Sequence, residues 1–176
     1  LDAATGVQKW IYDPGVDGQS GRYACCDAVN RGVTFSMGRV YVAALDGYVH
    51  AIDAATGRRI WKVDAFPSRG PKSPLTLTGA PVIAGDLLIV GTGGGDFHGV
   101  RGYVEAFDLK TGALRWRFYT VPRDPSLGPQ DQAHLVSALK TWDPRHRWET
   151  GGGGAVWDGI SYDPALNLVY VGTGNA

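Results

Sequence analysis

Apolar and polar residues alternate with a period of two over much of the chain. VYVAAL at 40–45, YVHAID at 48–53 and RIWKVD at 59–64 predict strands, as do PVIAGDLLIVGT at 81–92, YVEAFD at 103–108 and RWRFYT at 115–120. Asp46-Gly47 and Gly85-Asp86 supply turn chemistry between them, so successive strands should fold back on one another as a meander. AVWDGISYD at 155–163 and LNLVYVGTGN at 166–175 predict one more hairpin. One stretch has helical spacing instead: Ala133, Leu135, Val136, Ala138, Leu139 and Trp142 predict a short packed helix within Gln132 to Trp142.

The strands sit in a repeat. LDAATGVQKW at 1–10, AIDAATGRRIW at 51–61 and AFDLKTGALRW at 106–116 share Asp, two variable residues, Thr-Gly and then Trp. Asp2, Asp53 and Asp108 recur at intervals of 51 and 55 residues, and Trp10, Trp61 and Trp116 keep the same intervals. A period near fifty with strands and no long helix predicts all-β propeller blades rather than a helical solenoid. Within each unit Asp and Thr bond the local backbone, Gly supplies a positive φ, and the following strand presents a Trp to pack between sheets. The repeat opens inside one blade, covers two and stops halfway through a fourth. The expectation is therefore a single partial propeller domain over 1–176, an open fragment of about three blades. Long connections at 11–32 and 121–154 interrupt the rhythm, and loops of that length in a compact repeat are commonly functional.

Composition adds to this picture. Glycine makes up 26 of 176 residues, about twice the roughly 7% expected, and six Trp and eight Tyr agree with a β-rich chain of tight turns. Seventeen basic and seventeen acidic residues balance, which leaves no electrostatic footprint for nucleic acid or an anionic membrane surface. No apolar run reaches the length of a transmembrane helix.

Candidate chemistry begins with GRYACCDAVNRG at 21–32, which holds the two cysteines of the chain as neighbours. Two readings are open on the residues alone: an oxidised eight-membered ring, or two small buried thiols. An oxidised pair would favour a periplasmic or secreted setting. GTGGGD at 91–96 lacks a dinucleotide-binding register and no helix follows it; it is either a structural loop or, through Asp96, part of a hard-cation site. Trp157 follows Gly151–Gly154 and falls outside the repeat, so it is either another packing Trp or a flat floor for a planar ligand. Arg31 and Asn175 have equally plain readings as a solvated charge and a turn residue. His50, His98, His134 and His146 lack metal-site spacing and are taken as surface or structural.

Together these stretches resemble the quinoprotein alcohol dehydrogenases, the methanol and ethanol dehydrogenase family of eight-bladed propellers that bind pyrroloquinoline quinone (PQQ). The resemblance runs through nearly the whole chain. CCDAVNRG at 25–32 carries it most specifically, supported by LTGAP at 77–81, GVRGYVEAFD at 99–108, GGGAVWD at 152–158 and YDPALNLVYVGTGN at 162–175. It implies that Cys25 and Cys26 form a vicinal disulfide on one face of the quinone and that Trp157 lies against the other. Arg31 and Thr78 would contact the cofactor's carboxylates and carbonyls, with Gly94 and Gly95 beside them. Asp96 and Asn175 would bind the metal, Ca²⁺ or a lanthanide.

The same resemblance implies oxidation of primary alcohols to aldehydes by hydride transfer to the quinone, with a cytochrome c or haem domain as electron acceptor. The catalytic base would lie downstream of the GTGN strand, so the isolated fragment should be inactive. Three positions depart from the family pattern. Asp96 stands where a Glu is usual, in a loop one residue longer; Gly93 replaces a small hydroxyl residue; Ala155 replaces a Thr. The alternatives are a non-catalytic propeller scaffold built on the same tryptophan repeats, or a degenerate homologue that has lost its metal.

Overall fold

A computed structural model describes residues 1–66, 75–95 and 99–174. Two four-stranded antiparallel sheets follow one another in sequence order. The first contains β1 (Thr34–Ser36), β2 (Arg39–Ala43), β3 (Tyr48–Asp53) and β4 (Arg59–Asp64); the second contains β5 (Val82–Ala84), β6 (Leu87–Gly91), β7 (Tyr103–Asp108) and β8 (Leu114–Tyr119). A two-stranded hairpin, β9 (Ile160–Asp163) and β10 (Leu168–Val171), comes next, and α1 (Ala133–Leu139) lies in the connection before it.

The repeated motif explains how the sheets stack. Asp53 Oδ1 accepts from the N–H of Thr56 at 2.8 Å and from its hydroxyl at 2.7 Å, and Asp108 holds Thr111 in the same way at 2.9 and 3.0 Å. Each closed turn then receives the tryptophan of the preceding unit. Trp10 Nε1 donates to Ala54 O at 2.9 Å, and Trp61 Nε1 donates to Leu109 O at 3.3 Å. The indoles lie so close that a Cβ on Gly57 or Gly112 would come within 2.8 or 2.9 Å of the ring, so glycine is needed for contact as well as for its φ.

Side-chain alternation divides the core in two. Val49 and Ala51 of β3 pack with Tyr41, Leu88, Val90, Phe107 and Leu109 between the first and second sheets. Ile89, Val104 and Ala106 face the other way, onto Ile160, Tyr162, Val169 and Val171 of the hairpin. The shift of one residue between the two sets is the period-two pleat at work. Helix α1 covers the outer edge of β8: His134 stacks on Phe118 at 4.2 Å, and Gln132 Oε1 accepts from the Tyr119 N–H at 2.9 Å.

The last hairpin and the helix are shorter than the sequence pattern predicts, and one strand was missed. The hairpin begins at Ile160 rather than Ala155, because Ala155 makes only an isolated bridge to Gly174 and the residues between turn away as a loop. The helix ends at Leu139, short of Trp142. Strand β1 has three residues next to a Met37-Gly38 turn, too few for alternation to reveal. The meander also separates two kinds of connection. All Asp-Thr-Gly turns lie at one end of the sheets, while the β2–β3 and β6–β7 connections and the segments that enter β1, β5 and β9 lie at the other.

Candidate cofactor pocket

That second end gathers the chemistry. Cys25 and Cys26 are joined as a vicinal disulfide. A 3₁₀ turn over Gly18–Tyr23, capped by Asp17 whose carboxylate accepts from Gln19 N at 2.8 Å, leads into the pair. After it, Asp27 adopts φ 65°. Asn30 then donates from Nδ2 to Ala43 O at 3.0 Å and Arg31 N donates to Thr78 O at 2.9 Å, which fixes the segment to the ends of both sheets.

Trp157 lines the same cavity as the disulfide. The Arg31 guanidinium lies 4.9 Å from the centre of its ring. Thr78 donates from its hydroxyl to Trp157 O at 3.4 Å, and Gly79 lies beneath the same carbonyl. On the far side, a Cβ on Gly174 would stand 2.6 Å from Trp157 Nε1, so a glycine there lets the indole approach the chain.

The connection after β6 closes the third side. Gly93 N donates to Thr76 O at 2.7 Å, and the Thr76 hydroxyl stands 2.7 Å from where a Cβ of residue 93 would be. Gly93 thus makes room for Thr76, whose hydroxyl reaches the cavity wall from the neighbouring segment.

The cavity, open on one side to solvent, measures about 250 Å³. Six of the residues singled out from the sequence, Cys25, Cys26, Arg31, Thr78, Gly94 and Trp157, line it together. Gly95 follows Gly94 in the chain but is not on the wall. Asp96 and Asn175 lie outside the described residues, as does His98. Among the described residues no group of three or more His, Cys, Asp or Glu side chains could hold a metal ion. Sequence reading missed Thr76, Ala24, Asp27 and Val29 as wall residues. Thr76 had a usable signal, since a strand-like TLT places residues 76 and 78 on one face.

A cavity lined by a disulfide, an indole, one guanidinium and two threonines suits a flat ligand bearing carboxylates and carbonyls. Glycines at 93 and 94 keep one wall free of side chains. The guanidinium and hydroxyls fit an anionic quinone, and among the described residues Asp27 is the one carboxylate on the wall.

Fold and pocket together define part of a tryptophan-docked β-propeller with a lined cavity at one end of its sheets. The whole chain, residues 1–176, matches the model of the PQQ glucose/ethanol/alcohol dehydrogenase β-propeller domain, and the chain belongs to that family. It is 50% identical over 175 residues to quinohemoprotein alcohol dehydrogenase ADH IIB of Pseudomonas putida, covering 99% of this chain and 25% of that one. The crystal structure of quinohemoprotein alcohol dehydrogenase from Comamonas testosteroni superposes with a TM-score of 0.92 at 46% identity, over 99% of this chain and 26% of the other. The lanthanide-dependent methanol dehydrogenase of Methylacidiphilum fumariolicum is 40% identical over 182 residues, covering 95% of this chain and 28% of that one. The chain therefore spans about a quarter of the length of these relatives.

Proposed function

We propose that the protein carrying this chain is a PQQ- and metal-dependent dehydrogenase that oxidises primary alcohols to aldehydes, and that residues 1–176 form part of its propeller domain and most of one side of the quinone site. The observation that supports the reading is one cavity lined by the Cys25–Cys26 disulfide, Arg31, Thr78 and Trp157 together. When bound, the quinone supplies the hydride acceptor and the metal a Lewis acid. The chain's own residues bind and orient. The disulfide and the indole exclude water from the two faces, Arg31 pairs with a carboxylate, the Thr76 hydroxyl donates to an oxygen at the rim, and Thr78 holds the Trp157 carbonyl.

Asp96 and Asn175 are the proposed metal ligands, on the strength of the resemblance. Oxygen donors of this kind suit Ca²⁺, and a lanthanide ion has the same preference for hard oxygen ligands. The base that takes the alcohol proton is supplied from outside this chain. A cytochrome c or an attached haem domain is the proposed electron acceptor, which the name quinohemoprotein in two of the relatives supports. A vicinal disulfide favours the periplasm as the compartment.

The test is reconstitution of the full-length protein with PQQ and Ca²⁺, followed by alcohol-dependent dye reduction. The expected result is activity in the full-length protein and none in residues 1–176 alone. A full-length protein that binds no PQQ would favour a non-catalytic scaffold, and one that binds PQQ without metal would mark a degenerate homologue.

A further inference from the structure

The indole of Trp157 is delivered to the pocket by a run of four glycines, and all four are left-handed: φ is 81° at Gly151, 84° at Gly152 and 66° at both Gly153 and Gly154. A run of this kind has no side chains with which to hold itself, so its path is set from outside. A Cβ on Gly151 would lie 2.3 Å from Val100 O, and one on Gly152 would lie 2.8 Å from the Trp142 ring. Gly153 N donates to Val100 O at 3.2 Å, and Gly153 O accepts from Gly102 N at 2.7 Å.

The last member of the run, Gly154, is held by a side chain. Thr120 donates from its hydroxyl to Gly154 O at 2.6 Å. That hydroxyl would stand 2.6 Å from a Cβ on Gly102 and 2.8 Å from a Cβ on Gly154, so it is wedged between two glycines. The first sheet supplies the control. There the equivalent pair is Gly47 and Ala65, linked by Ala65 N to Gly47 O at 3.0 Å just as Thr120 N is linked to Gly102 O at 3.0 Å. Ala65 has no hydroxyl, and the Phe66 ring closes over Gly47 instead. A hydroxyl therefore appears at this repeat position in the unit whose exit leads to Trp157.

We propose that Thr120 is a positioning residue for Trp157: its hydroxyl pins the end of the glycine run and thereby sets the indole against the cofactor slot. The proposal rests on the reading of that slot as the quinone site. Thr120 itself does not line the cavity. Its effect reaches the ligand through Gly154, Ala155 and Val156, and Val156 is buried with its carbonyl 2.0 Å from where a Cβ on Gly91 would be.

The test uses the full-length protein with Thr120→Val, Thr120→Ala and Thr120→Ser, measuring PQQ affinity, the absorption band of bound PQQ and the melting temperature. Loss of one hydrogen bond to a fixed carbonyl should weaken PQQ binding about fivefold in the Val and Ala variants and shift the band. Ser, which keeps the hydroxyl, should bind within about twofold of wild type with an unshifted band. If Thr120→Val does not fold, the Ala and Ser pair decides. Val and Ala variants with wild-type affinity and spectrum would overturn the proposal, as would a Ser variant impaired as much as Ala. Wild-type protein that binds no PQQ would overturn the quinone reading itself and this inference with it, whereas normal wild-type binding with unmoved variants sinks the positioning role alone.

Discussion

The two complete sheets are built on one plan and, besides the Ala65 and Thr120 exchange, differ at two points. Their β3 and β7 strands read YVHAID and YVEAFD, and the turns that follow are superimposable in their hydrogen bonds. The first difference is the connection at the pocket end. Four residues, 44–47, join β2 to β3, whereas eleven, 92–102, join β6 to β7 and include the glycines on the cavity wall. The second is the central residue of the strand, His50 in one sheet and Glu105 in the other. Both are almost completely buried and face the preceding unit, and each lies across the ladder from a cation, Lys62 or Arg117. The cations also sit alike, over the rings of Tyr48 and Tyr103. A repeat can thus keep its backbone and its cation while exchanging the titratable group it buries, because neither hydrogen-bonded turn nor docked tryptophan touches that position.

The exchange reverses the electrostatics. Burial, helped by Lys62, lowers the His50 pKa to about 4, and its Nδ1 is paired with the Tyr12 hydroxyl at 2.7 Å. Burial raises the Glu105 pKa to about 7, while Arg117, donating from Nε to Oε1 at 2.6 Å, pulls the other way. The largest expected effect follows from breaking the ion pair. Glu105→Ala leaves Arg117 without its partner and should cost about 3 kcal/mol, the low end for a buried pair because Arg117 keeps some contact with solvent. His50→Leu should cost about 1 kcal/mol, since it leaves only the Tyr12 hydroxyl to find water. Denaturant midpoints of the two variants measure both, and a greater loss at position 50 would break the comparison.

The pH profile sharpens it. His50 has a folded pKa below its ordinary value, so its contribution is present above about 6.5 and is lost as pH falls through about 4. Glu105 has a folded pKa above its ordinary value, so its contribution is present below about 4.5 and is lost as pH rises through about 7. The two slopes oppose each other in the overlap, each amounting to roughly 2–3 kcal/mol over its window. His50→Gln should flatten the acid limb of the melting temperature against pH, and Glu105→Gln the limb approaching neutrality. Parallel profiles in the two variants would contradict the assignment. At the interface itself, Tyr12→Phe should cost about 1–2 kcal/mol by leaving a buried imidazole nitrogen unpaired. In the double variant with His50→Phe that loss should shrink, a coupling measurable by a mutant cycle.

What the sequence disclosed divides along the range of the interactions. The Asp-Thr-Gly turns and the docking tryptophans were legible because the motif is local and its period is visible. The hairpin and helix ends were not: Ala155 makes only an isolated bridge to Gly174, and the helix stops at Leu139 although the apolar spacing runs on to Trp142. Cys25, Cys26, Arg31, Thr78, Gly94 and Trp157 could be gathered by resemblance, and the fold brings all six to one cavity. Thr76 and Thr120 escaped notice because their hydroxyls matter only through glycines that lie close in space, Gly93 and Gly154. His50, taken with the other histidines as surface or structural, is buried and paired with Tyr12, 38 residues away, and no pattern in the chain joins them.

The smallest predicted effect is the most discriminating. Lys62 and Arg117 occupy the same repeat position and each lowers the pKa of the residue opposite, which works with burial toward the neutral form at His50 and against burial toward the charged form at Glu105. Removing the cation should therefore raise both values. With Lys62→Met, His50 moves back toward 6.5; with Arg117→Met, Glu105 moves further from the ordinary range of a carboxyl. Lys62 makes no ion pair with His50, so its loss should change stability by less than about 0.5 kcal/mol, within the range of surface substitutions. The titrations can be followed by NMR, through the His50 ring protons and the Glu105 side-chain carbon. A His50 value unmoved by Lys62→Met would mean that burial alone sets it, and the repeated cation would then be a packing feature over the tyrosine ring rather than an electrostatic one.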